Sequence, residues 1–147
     1  MTDIQDMANG VHLEYFIEGL DFLSNGEASS NIKHILQLVG YPPAVIRRAA
    51  IAAYEAEMNI AIHASQGKLM AVIRPESIEI IAEDSGPGIP DIELAMQVGW
   101  STAPAHIREM GFGAGMGLPN IKRCADEFDI ESSVGQGTRL RVLIFNK

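Results

Sequence analysis

The chain is 147 residues long, 47% hydrophobic and 20% charged, with a formal net charge of −8. That length can bury a real core without staples, and the acidic balance excludes extended binding to a nucleic-acid backbone, which needs clustered Lys and Arg. No run approaches the roughly 20 apolar residues of a membrane span, MTDIQDMANG lacks the apolar core of an export signal, and the single Cys124 excludes internal disulfides and cysteine-cluster metal sites.

Residues 11–18, VHLEYFIE, alternate Val11, Leu13, Tyr15 and Ile17 against His12, Glu14, Phe16 and Glu18, the pattern of a half-buried strand. Asn25-Gly26 signals a turn. Ser29 or Ser30 is placed to cap the next helix, whose apolar face is Ile32, Ile35, Leu36 and Val39. Gly40 and Pro42 end it. His34, in KHILQ, lacks the acidic neighbour and Thr-Pro element of a phospho-accepting histidine and reads as solvated or partly packed.

A long helix is expected over 43–64, its apolar stripe formed by Ile46, Ala49, Ala50, Ala53, Ala56, Ile60 and Ala64. Glu55 and Asn59 lie one turn apart on the opposite side, with His63 a further turn along; periodicity alone makes this a wet polar face. Glu57 falls inside the apolar stripe, and nothing local in the sequence accounts for it.

Strands at 68–74 and 77–83 follow, joined through Pro75-Glu76 as a hairpin. Ile78, Ile80 and Ala82 share a face, and Asp84 continues their parity. A carboxylate on the buried side of a sheet is costly without a hydrogen-bonding partner. An Asp-Ser-Gly turn is the ordinary reading, and the inward parity shifts it toward a ligand contact. Residues 91–98 read as a short helix with Asp91 at its start, and 99–114 lack periodicity, as a lid loop does. Leu118, Ile121, Ala125 and Phe128 recur at helical spacing, with Pro119 near the helix start. A closing hairpin runs from a strand near 128–134 through Gly135-Gln136-Gly137 to a strand from Thr138 to about Phe145. Thr138, Leu140, Val142 and Ile144 form its buried face. The expectation is one domain over 1–147, located in the cytoplasm.

The run GFGAGMG fits neither the G-x-G-x-x-G dinucleotide fingerprint nor, lacking the G-K-[ST] ending, the P-loop. Closely spaced glycines leading into a helix still make a phosphate cradle, because unobstructed backbone N–H groups converge on anionic oxygens. The charge of −8 is compatible with a single nucleotide held this way with a metal ion. No Ser-His-Asp arrangement is readable, the four histidines are scattered, and catalytic zinc is not expected.

Taken in order, Glu55-x-x-x-Asn59, DSGPGIP from Asp84 to Pro90, GFGAGMG, and GQGT ending at Thr138 resemble the four-box signature of the Bergerat-fold (GHKL) ATPases. The spacing fits across essentially the whole chain. Within that superfamily EMNI, IIAEDSGPGIPDI, GWST and GLPNIKRCADEF look like the small serine/threonine kinases that regulate sigma factors, the stressosome switch kinases above all. The resemblance implies an α+β two-layer sandwich: a mixed sheet with helices on one face and an ATP lid.

It also implies ATP and Mg²⁺ as ligands, with Asn59 binding the ion through its side-chain oxygen. Asp84 would accept from the adenine amino group and Thr138 would complete that contact. Gly86 would belong to the cofactor-binding residues, and Gly88 would let backbone pass close to the base. Gly111, Gly113, Gly115, Met116 and Gly117, with the helix start at Leu118, would hold the phosphates. Glu55 would be the catalytic base for a partner's hydroxyl, and Arg108 in the lid would sit near the terminal phosphate. PAHIREMGF makes the lid longer than in the switch kinases, which bears on partner choice.

The implied function is phosphorylation of a Ser or Thr on a STAS-domain (anti-anti-sigma type) protein or stressosome-like scaffold. A sigma factor or phosphatase is a further partner that the resemblance allows, as is a homodimer. The alternative is a nucleotide-dependent module that sequesters a partner with little phosphotransfer. The catalytic half of a histidine kinase is less expected, because no dimerising phospho-acceptor helix precedes the domain, and gyrase- or mismatch-repair-type machines need a longer chain.

Overall fold

The computed structural model describes residues 10–18, 26–64, 66–89, 91–96 and 117–147. They form five strands and four helices: β1 (Val11–Glu18), α1 (Glu27–Val39), α2 (Pro43–His63), β2 (Gln66–Ile73), β3 (Ser77–Asp84), α3 (Ile92–Ala95), α4 (Gly117–Cys124), β4 (Glu127–Ser133) and β5 (Gly137–Phe145). The sheet order is β1-β2-β3-β5-β4. α2 packs against α1 on one side, α4 on the other, and the sheet beneath. The α+β two-layer sandwich expected from the sequence is what forms.

The sheet differs from expectation in one respect: every pairing among the described strands is antiparallel, so it is not mixed. The reason is topological. Two helices separate β1 from β2, so the chain crosses the sheet twice and returns against its starting direction. β3 and β4 do run the same way, but β5 is inserted between them and pairs with both.

The alternation read from the sequence sets the two faces. Leu69, Ala71 and Ile73, then Ile78, Ile80 and Ala82, then Leu140, Val142 and Ile144 point at the helices and are buried. Each large apolar side chain removed from water there contributes about 1.5–3 kcal/mol. The other face is solvated and laced by cross-strand ion pairs: Glu83 with Arg139 at 3.0 Å, Glu79 and Asp129 with Arg141, and Glu14 with Lys68.

α1 starts at Gly26, not at a serine. Gly26 adopts φ 101° and supplies no side-chain cap; Ser29 is buried inside the first turn. The cap comes from α2. Glu57, 2% exposed, accepts the Gly26 N–H at 2.9 Å and the Ser29 N–H at 3.1 Å. A carboxylate at a helix N-terminus satisfies orphan donors and meets the positive end of the dipole. This accounts for the acid in the apolar stripe. At the other end Gly40, at φ 95°, and Tyr41 return their N–H groups to the carbonyls of Gln37 and Leu36, closing the helix as a Schellman motif.

α2 begins at Pro43, where a missing N–H costs nothing, and its small residues Ala49, Ala52, Ala53 and Ala56 let it lie close to both neighbours. It lies close over the sheet at Gly67, where a Cβ would stand 2.6 Å from Ile60 Cγ2. α4 ends at Cys124, earlier than the spacing of Phe128 suggests, and Phe128 belongs to β4. Arg48 ties this end down, donating from Nε to the Cys124 carbonyl and pairing with Asp126 at 3.1 Å.

Candidate functional site

One end of the helix-facing side of the sheet is polar. Register aligns Gly67, Asp84, Thr138 and Ser132 across β2, β3, β5 and β4, one rung beyond the apolar row of Leu69, Ala82, Leu140 and Ile130. Asp84 does point inward as its parity requires, and is half-buried. Its Oδ1 accepts the Gly86 N–H at 2.9 Å, so the turn contact is made as well. Its Oδ2 takes no hydrogen bond from the described residues.

The bend after Asp84 is wedged between α2 and the β4–β5 hairpin. A Cβ on Gly86 would meet the His63 carbonyl oxygen at 3.0 Å. Gly88 has φ +80°, and a Cβ there would lie 2.3 Å from the Ser133 carbonyl oxygen. The backbone approach that Gly88 permits is therefore toward the hairpin. Gly137, at φ +119°, does the same from the other side, its Cβ position being 2.0 Å from the Asp84 carbonyl oxygen. The Gly135 N–H donates to the Pro87 carbonyl at 2.8 Å.

Ser132 joins these parts. Its Oγ accepts the Ile89 N–H at 2.7 Å, donates to the Gly137 carbonyl at 3.0 Å, and lies 2.8 Å from Thr138 Oγ1. Sequence reading passed over Ser132, although its parity with Phe128 and Ile130 placed it inward.

Along α2 the polar face is half-buried, not wet. His63 stands next to Asp84: burial pushes its imidazole below the ordinary value, against the opposing pull of that carboxylate. One turn back is Asn59, without a hydrogen bond to the described residues. One turn further is Glu55, beside the first turn of α4; a Cβ on Gly117 would be 3.5 Å from Glu55 Oε2, and Asn120 Nδ2 donates weakly to Oε1 at 3.5 Å. With a rise of about 1.5 Å per residue, Glu55 and His63 lie about 12 Å apart along the axis. α2 thus spans from Asp84 to the start of α4, with Asn59 midway.

Glu55, Asn59, Asp84, Thr138, Gly86, Gly88, Gly117 and Leu118 are therefore gathered along one seam between sheet and helices. The Leu118 side chain is 7% exposed and part of the core. Arg108, Gly111, Gly113, Gly115 and Met116 lie outside the described residues. Among the described residues no cluster of three or more His, Cys, Asp or Glu could hold a metal by itself. The donor set suits an ion held mainly by phosphates and water, for which one Asn oxygen suffices. The oxygen of Asp84 that takes no hydrogen bond from the described residues suits an N–H donor from a bound base. No described helix is long and apolar enough to cross a membrane.

Residues 44–146 match the family described as histidine kinase-, DNA gyrase B-, and HSP90-like ATPases. The chain is 34% identical over 115 residues to the serine/threonine-protein kinase RsbT of Bacillus subtilis (strain 168), a match covering 76% of this chain and 80% of that protein. It is 33% identical over 132 residues to an anti-sigma F factor of Thermoanaerobacter sp. (strain X514), covering 84% and 89%. Among solved structures the mycobacterial sensor histidine kinase MprB matches with a TM-score of 0.52 over 93% of this chain and 99% of that one, at 14% identity, a likeness of fold alone. The matched residues include α2, the glycine bend, α4 and the closing hairpin, which carry the whole seam. The chain belongs to the histidine kinase-, DNA gyrase B- and HSP90-like (GHKL) ATPase family, in the company of serine/threonine-kinase and anti-sigma relatives.

Proposed function

We propose that the chain is a serine/threonine protein kinase of the anti-sigma type, acting on a Ser or Thr of a small STAS-domain (anti-anti-sigma type) partner in a cytoplasmic partner-switching pathway. ATP, bound with Mg²⁺, supplies the phosphoryl group. Asp84 and Thr138 receive the adenine edge, and Asn59 gives one oxygen to the ion. Backbone N–H groups at the start of α4, with Gly111, Gly113, Gly115 and Met116, hold the phosphates. Arg108 offsets charge on the terminal phosphate.

The observation that carries this reading is the position of Glu55. It is half-buried beside the first turn of α4, and it also borders a groove of about 700 Å³ between α1 and α2 that opens to the surface. A carboxylate at that junction can orient a hydroxyl arriving along the groove and take its proton, while the phosphate end of the site lies on its other side. A module that only binds nucleotide has no use for a base there.

Glu55→Ala is expected to leave ATP binding by calorimetry within about twofold and to abolish transfer of label from ATP to STAS-domain proteins encoded nearby. Transfer at the wild-type rate in that variant rejects Glu55 as the base. The second reading, partner sequestration gated by nucleotide, is favoured by the anti-sigma F factor among the relatives. It predicts nucleotide-dependent complex formation with no labelled partner.

A further inference from the structure

We infer that Ser132 sets the base selectivity of the nucleotide site by fixing the direction of the Thr138 hydroxyl. The inference rests on the proposed ATP reading and adds a residue that neither the sequence motifs nor the relatives single out. It follows from counting protons around one oxygen.

A serine hydroxyl has one proton to give and two lone pairs. Ser132 Oγ accepts the Ile89 N–H at 2.7 Å, which uses one lone pair. The Gly137 carbonyl at 3.0 Å can only accept, so the Ser132 proton goes there. Thr138 Oγ1 at 2.8 Å must then be the donor, because Ser132 has no second proton. Ser132 is thereby saturated, and Thr138, having turned its only proton toward Ser132, offers lone pairs alone on its remaining side. Thr138 is 8% exposed, so bulk water does not readily re-orient it.

Thr138 is the cross-strand partner of Asp84 on the same face. Asp84 Oδ1 is committed to the Gly86 N–H, and the remaining oxygen is again an acceptor. The rung therefore presents acceptors side by side and no donor. A purine carrying an exocyclic amino group brings N–H donors to such a pair. A purine with a carbonyl at that position brings an acceptor there and keeps only its N1–H as a donor on that edge, so at least one acceptor of the rung is left opposed to a lone pair. Unpaired buried polar groups are what make a hydrogen-bonding site discriminate strongly. Ser132 touches neither base nor phosphate in this scheme; it is a positioning residue that acts through Thr138.

The test compares ATP with inosine triphosphate, which replaces the amino group by a carbonyl and turns the N1 acceptor into an N–H, by calorimetry on the full chain. The wild type is expected to prefer ATP. In Ser132→Ala the Thr138 hydroxyl is released and can donate, so the ATP-to-inosine-triphosphate affinity ratio should fall about tenfold, chiefly through tighter binding of the inosine nucleotide. Ser132→Thr, which keeps the hydroxyl, should restore the ratio. Thr138→Val should lower the ratio by itself, and adding Ser132→Ala to it should change the ratio no further; this arm serves if Ser132→Ala does not fold. An unchanged ratio in Ser132→Ala or in Thr138→Val overturns the inference, as does an equal loss of both nucleotides, which is the mark of a purely structural serine. A wild-type chain that binds neither nucleotide overturns the ATP reading itself, whereas ATP binding with an unmoved ratio overturns the role of Ser132 alone.

Discussion

Glu57→Ala isolates the link between the two long helices. The carboxylate is 2% exposed and accepts two backbone N–H groups, from Gly26 at 2.9 Å and from Ser29 at 3.1 Å. The Ser29 donor is buried, so losing its partner costs the desolvation of an unmet N–H, about 1–3 kcal/mol. Gly26 is half-buried, and water can replace part of its bond. Removing the negative charge from the positive end of α1 adds about 0.3–1 kcal/mol. The truncated side chain, 2% exposed in the wild type, also leaves a void. Together these give about 2–5 kcal/mol against a total stability of about 5–15 kcal/mol. Urea unfolding followed by circular dichroism measures it as a lower midpoint at constant slope. Glu57→Gln fills the space but brings its amide N–H₂ against one backbone donor, so it should fall between alanine and wild type. A Glu57→Ala loss below about 0.5 kcal/mol, within the usual range of surface substitutions, would refute the capping argument.

Two further predictions use the same structure. Gly88→Ala places a methyl 2.3 Å from the Ser133 carbonyl at φ +80°, so it should destabilise by more than about 1 kcal/mol and weaken ATP binding by displacing the bend from the hairpin. Native-state hydrogen exchange at Gly135, whose N–H donates to Pro87, reports the displacement directly; unchanged protection contradicts it. Tyr41 donates its hydroxyl to the Arg74 carbonyl, and burial, assisted by Glu76, pushes its phenol from 10.0 up to about 12. The folded state thus holds a proton that the unfolded chain releases above pH 10. That stabilisation is complete below pH 10 and is lost as pH rises toward 12. Tyr41→Phe should show a shallower alkaline decline in urea midpoint than wild type, and parallel curves would count against the assignment.

Much of this fold was readable because a period of two survives wherever one face of a strand is buried. β1 alternates as VHLEYFIE requires, and Asp84 extends the inward parity of Ile78, Ile80 and Ala82. Strand direction was less accessible, since it depends on how many helices cross between neighbours. Phe128 satisfies both the helical spacing of Leu118 and Ile121 and the inward parity of Ile130 and Ser132, so the sequence is degenerate at that boundary. Glu57 was opaque because its partners lie 31 and 28 residues upstream. Of the candidate site, Glu55, Asn59, Asp84 and Thr138 were legible as types at fixed spacing. Their convergence depends on α2 crossing the sheet at Gly67, which periodicity does not encode. Arg108 and the glycines from Gly111 to Gly115 fall outside the described residues.

The central claim, that a purine nucleotide sits against Asp84 at the polar end of the sheet, is tested most directly by titrating Mg²⁺-ATP into wild type and Asp84→Asn. The substitution keeps the side-chain volume and an oxygen for the Gly86 N–H, and replaces the free carboxylate oxygen by an amide donor. A hydrogen bond to a charged group is worth about 1.5–3 kcal/mol, so affinity should fall by about 10- to 150-fold with the unfolding midpoint little changed. Equal affinities in the two proteins would contradict the account.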